Sequence, residues 1–141
     1  MSLQIKFRKI MLVDDDYINN FLNEEILREM KFSDDIIVHT SGDEAWQWLS
    51  EQENLSDMPV DIIFLDINMP GMDGFEFISC LHASDKLKEI PIVLLTTSEN
   101  IRDKDKAQLL DVQGYLNKPL SKEKVLQCFS SWPVNSEKKN A

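Results

Sequence analysis

Five short apolar runs alternate with five stretches of helical character along this chain, and that alternation confines it to helices packed on a parallel sheet. The strands are expected within Ile5 to Val13, over Ile36 to Thr40, Val60 to Leu65, Ile92 to Leu95 and Tyr115 to Asn117. Val60 to Leu65 is apolar apart from Asp61, the pattern of a strand covered on both faces. Pro91 sits just ahead of the fourth strand, where a missing N–H donor costs little. Between the runs, Tyr17 to Met30 shows Ile18, Phe21, Leu22, Glu25, Ile26 and Leu27 near helical spacing. A second helix starts at Ser41-Gly42-Asp43 and runs through Ala45, Trp46 and Leu49. Asp73 to Ala83, a polar segment from Ile101 to Val112 and Ser121 to Trp132 supply three more. Right-handed crossovers then put helices on both faces, a three-layer doubly wound α/β fold.

Four chemically loaded positions fall at the ends of those runs. Asp14-Asp15-Asp16 follows the first, Asp66 the third, Thr96 the fourth and Lys118 the fifth. In a parallel sheet all four gather at one edge, where open α/β folds bind ligands. Crowded carboxylates repel one another and need a divalent cation or a fixed ammonium to stay ionised. Mg²⁺ takes one or two carboxylates and fills its remaining positions with waters and phosphate oxygens, so the set points to phosphoryl transfer. Asp66 is then the candidate nucleophile, Thr96 a hydroxyl donor to the phosphoryl group and Lys118 the countercharge.

The order VDDD, LDINMPGMDG, a Thr closing the fourth strand and a Lys-Pro pair resembles the receiver domain of two-component response regulators. The resemblance runs from about Arg8 to Trp132, leaving residues 1–7 as an N-terminal extension and 133–141 as a polar tail. It implies the flavodoxin-like strand order 2-1-3-4-5, for which a chemotaxis receiver is the standard example. It also implies Mg²⁺ or Mn²⁺ held by Asp15, Asp66 and the Asn68 carbonyl, with Asp14 acting mainly through water and Asp16 capping the first helix or facing solvent. Asp66 would be phosphorylated by a histidine kinase or a histidine phosphotransfer protein. Thr96 and Tyr115 would form a switch, and the Lys118-Pro119 bond would be cis. Output would pass to a downstream protein through the surface around the fourth helix, fifth strand and fifth helix, because the tail after Trp132 is too short for an output domain. The implied protein is a stand-alone switch that assists its own phosphorylation and dephosphorylation, not a turnover enzyme.

Composition supports that reading mainly by exclusion. At 141 residues with 43% apolar side chains one domain is expected. A net charge of -10 argues against nucleic acid or an anionic membrane as partner. No apolar stretch approaches a membrane span, and the start lacks a signal peptide's apolar centre, so a cytoplasmic protein is expected. Cys80 and Cys128 lack zinc or redox spacing and read as reduced core residues. His39 and His82 read as structural or solvent-facing. Trp46 and Trp48 cannot share a helix face, and one of them is expected to be exposed. Two rival functions share some of the parts. An aspartate-nucleophile phosphatase needs a second Asp two residues past the nucleophile, where this chain has Asn68. A flavodoxin-like electron carrier needs a Ser/Thr/Gly-rich loop after strand one, where Asp14-Asp15-Asp16 would repel a phosphate.

Overall fold

In the computed structural model, residues 6–96 and 112–130 are described. They form β1 (Ile10–Val13), α1 (Tyr17–Glu29), β2 (Ile36–His39), α2 (Gly42–Glu51), β3 (Ile62–Asp66), α3 (Gly74–His82), β4 (Ile92–Thr96), β5 (Gly114–Asn117) and α4 (Lys122–Phe129). The polar helix expected over 101–112 lies almost wholly outside the described residues, as do Thr97, Ser98 and Trp132.

All five strands pair in parallel in the order β2-β1-β3-β4-β5, the order that the sequence resemblance implied. Alternation within each strand divides the apolar side chains between two cores. Met11, Val13, Ile63, Leu65, Ile92 and Leu94 point toward α2 and α3, where Ala45, Leu49, Phe77 and Ile78 meet them. Ile10, Leu12, Ile62, Phe64, Val93 and Leu95 point toward α1 and α4, against Leu27, Val125 and Phe129. Phe32 and Phe129 meet edge to face at 5.2 Å between ring centroids and close that second core below the helices.

Each of these four α-helices begins on a side chain that supplies missing hydrogen bonds. Asp16 accepts from Ile18 N at 2.8 Å and Asn19 N at 3.2 Å, so its carboxylate is committed to capping α1. Ser41 and Ser121 do the same for α2 and α4. Asp73 and Glu76 form a reciprocal capping box at α3. Gly74 begins α3 against the strand that precedes it, and a Cβ there would lie 2.8 Å from the Asp66 carbonyl and the Ile67 Cα. This close approach fixes the turn after Asp66.

The apolar residues at helical spacing in α1 divide between two faces: Ile18 is 68% exposed and Phe21 63%, while Leu27 is buried together with Asn20 and Asn23. The register is set by Asn20, whose amide donates to the Asp14 carbonyl at 2.8 Å and so turns the 20–23–27 stripe inward. The expectation that one of Trp46 and Trp48 is exposed needs correction: both are half-buried against the α2/α3 core, since α2 packs against both β2 and α3. Cys80 and Cys128 are free and half-buried.

Candidate functional site

The β1–β3 boundary is where the winding of the chain reverses, and the crevice it opens at the C-terminal edge receives the acidic residues. Asp14 follows β1 directly, and its backbone N–H donates to the His39 carbonyl at 3.2 Å. Asp66 is the last residue of β3, and the next N–H, of Ile67, donates to the Leu95 carbonyl at 3.1 Å. Both carboxylates are therefore held on sheet backbone and not on a loose loop. Asp14 is fully buried and Asp66 only 2% exposed, whereas Asp15 is exposed.

One carboxylate oxygen from each of Asp14, Asp15 and Asp66 can be chosen so that all lie within 4.8 Å of one another. This is a hard-oxygen donor set open to solvent on the Asp15 side, and it suits a divalent cation such as Mg²⁺ or Mn²⁺. Asn68, exposed two residues past Asp66, turns its N–H back onto Asp66 Oδ1 at 3.3 Å.

Lys118 reaches this cluster from just past the end of β5. Its Nζ lies 3.1 Å from Asp14 Oδ2 and 3.3 Å from Asp66 Oδ1, with all three side chains at least nine-tenths buried. Burial works against the ammonium, but the hydrogen bond to Asp14 and the charges of Asp66 and Asp14 outweigh it and raise the lysine's pKa. Asp66 is displaced further. Desolvation and then the neighbouring Asp14 charge push its pKa up to about 6, against the opposing pull of Lys118. At neutral pH the carboxylate is still ionised, yet it is held in a site where negative charge is costly and a further cation would be welcome.

Thr96 ends β4, is fully buried, and accepts the Lys118 N–H on its carbonyl at 2.7 Å. Tyr115, on β5, is half-buried against the α2/α3 core. The Lys118-Pro119 bond is cis. Asp14, Asp15, Asp66, Asn68, Thr96 and Lys118 thus lie at the C-terminal ends of β1, β3, β4 and β5, with Tyr115 inside β5. His39 does not join them: its Nδ1 lies 2.8 Å from Glu44. His82 stands in the last turn of α3. One residue the sequence did not single out is Lys124 on α4, whose ammonium bonds the carbonyls on either side of Lys118.

A family model described as the response regulator receiver domain matches residues 10–130. The response regulator Rcp1 of Synechocystis is 34% identical over 110 residues, 77% of this chain and 75% of its own. Among solved structures, a two-component response regulator from Cytophaga hutchinsonii is 34% identical and superimposes with a TM-score of 0.78, covering 89% of this chain and 96% of that one. The manganese-bound form of Rcp1 is 31% identical with a TM-score of 0.73, covering 89% and 93%.

Proposed function

The chain belongs to the response regulator receiver family, and from that membership we propose that it is a phosphorylation switch whose acceptor is Asp66. The observation that carries this is the pairing of a buried, destabilised carboxylate at a strand end with an ammonium and two further carboxylates, Asp14 buried beside it and Asp15 exposed at the mouth. Asp14, Asp15, Asp66 and the Asn68 carbonyl would hold Mg²⁺ or Mn²⁺, which when bound neutralises the oxygens of an incoming phosphoryl group. An Asp66 oxygen attacks phosphorus while the bond from phosphorus to a histidine nitrogen of the donor breaks, leaving an acyl phosphate on Asp66 and a free imidazole on the donor. Lys118 keeps its ammonium beside the acceptor, and the Thr96 hydroxyl serves as donor to a phosphoryl oxygen. Tyr115, one strand away, would respond to a displacement of Thr96 and carry the change to the surface that a downstream protein reads.

The reaction is tested with acetyl phosphate and Mg²⁺. Intact mass should rise by one phosphoryl group, and hydroxylamine, which cleaves acyl phosphates, should remove it. A label that resists hydroxylamine would contradict an acyl phosphate.

The same edge offers a place for the donor protein. Tyr17 (77% exposed), Ile18, Phe21 and Leu22 (46%) form a cluster of large apolar side chains on α1, next to Asp15 and Asp16. A soluble helix seldom presents such a set to water without a partner. Any protein that brings a phosphohistidine to Asp66 must come within reach of this cluster. Phe21→Glu is therefore expected to slow transfer from a phosphorylated donor protein by roughly tenfold or more, while the rate with acetyl phosphate stays as in the wild type. An equal effect on both donors would remove this surface from the docking interface.

A further inference from the structure

We propose that Lys124 is a positioning residue for Lys118: it holds the segment between β5 and α4 so that the Lys118 ammonium stays on the two buried carboxylates. The inference rests on the reading of Asp14, Asp15 and Asp66 as a cation-binding phosphoacceptor site.

Lys118 occupies a short connection, with β5 ending at Asn117 and α4 starting at Lys122. Within it the sheet ladder contributes one bond, from the Lys118 N–H to the Thr96 carbonyl. Pro119 has no N–H to give, and Leu120 packs in the α1/α4 core. The carbonyls of Asn117 and Pro119 stand on either side of Lys118, and both accept from the same side chain. Lys124 Nζ lies 3.1 Å from the Asn117 carbonyl and 2.8 Å from the Pro119 carbonyl. The Lys124 backbone is in turn fixed in the first turn of α4, where its N–H donates to the capping Ser121 Oγ at 3.1 Å. A charged donor makes the stronger kind of hydrogen bond, so α4 grips the loop around the catalytic lysine from both sides. The sequence conceals this, because an exposed-face lysine in a first helical turn ordinarily does nothing more than solvate.

If the grip is real, its loss lets the Lys118 ammonium spend less time on Asp14 and Asp66. A divalent cation then meets less competition for the same oxygens. Mg²⁺ titrations followed by calorimetry read this directly, with circular dichroism to show that each variant is folded. Lys124→Met is expected to tighten Mg²⁺ binding roughly threefold, and Lys124→Arg, which keeps a cationic donor, to return it to the wild-type value. In a Lys118→Met background, Lys124→Met should add nothing, because the group it positions is gone. Lys122→Met, which removes a lysine charge from the same helix turn, should leave the affinity unchanged.

Unchanged or weaker Mg²⁺ binding in Lys124→Met overturns the proposal, as does failure of Lys124→Arg to restore it. So does the same tightening in the Lys118→Met background or in Lys122→Met, which would make the effect one of charge acting through space. Should Lys118→Met not fold, the Lys122 control alone separates those readings. A wild-type chain that binds no Mg²⁺ would instead sink the underlying reading of the site, an outcome distinct from all of these.

Discussion

Lys118→Met is expected to destabilise the folded protein by about 3 kcal/mol near neutral pH without divalent cations, the cost of leaving buried charge without its partner. The ammonium touches two carboxylates, at 3.1 Å and 3.3 Å, in a region where all three side chains are almost closed to water. Removing it leaves Asp14 and Asp66 facing one another with nothing between them. Part of the penalty is relieved because Asp66, already a reluctant acid, can take up a proton, so the deficit should shrink toward pH 5 and below. Millimolar Mg²⁺ should recover more stability in the variant than it adds to the wild type, since binding to the folded state alone stabilises it. Urea unfolding with EDTA and with Mg²⁺ measures both effects. A loss below about 1 kcal/mol would place the lysine among surface ion pairs of little weight.

Asp66→Asn should act in the opposite direction. Desolvation and the Asp14 charge raise the Asp66 pKa from an ordinary 3.8 to about 6, so the folded state holds this proton more tightly than the unfolded chain does. The stabilisation that comes from protonation is complete below the unfolded value and is lost as pH rises through the folded one. An asparagine keeps the shape and never ionises. The two proteins should therefore be nearly equal in stability around pH 4, and the variant should pull ahead through pH 6. By neutral pH the advantage should reach about 2–3 kcal/mol in EDTA, at about 1.4 kcal/mol per tenfold change in proton affinity. An advantage that does not vary with pH would mean that packing, not charge, separates them. The comparison also locates the site's function in its cost: the carboxylate that would take the phosphoryl group is one whose charge the fold opposes.

Most of this arrangement was readable because strand ends carry it. Runs such as Ile62 to Leu65 are buried on both faces, their boundaries are sharp, and the residue that follows each lies at the crevice by construction. Asp14, Asp66, Thr96 and Lys118 needed no knowledge of packing to be placed there. Helix α1 was not readable in the same way. Its apolar spacing picks out Ile18, Phe21, Leu22, Ile26 and Leu27 alike, whereas the buried stripe is Asn20, Asn23 and Leu27; the hydrogen bond from Asn20 to the Asp14 carbonyl holds that face inward, and apolar spacing does not record it. Lys124 was hidden for a different reason. Its role depends on two carbonyls whose direction is set by a loop, and no residue pattern records where a carbonyl points.

The central claim is that Asp66 receives the phosphoryl group, and borohydride trapping tests it most directly. Acyl phosphates are reduced by borohydride to the alcohol, which converts a phosphorylated aspartate into homoserine. After incubation with acetyl phosphate and Mg²⁺, reduction and digestion, peptide mass spectrometry should find homoserine at position 66 and nowhere else, and no homoserine at all in Asp66→Asn. Homoserine at Asp14, Asp15 or any other aspartate, or an equal yield from Asp66→Asn, would contradict the account.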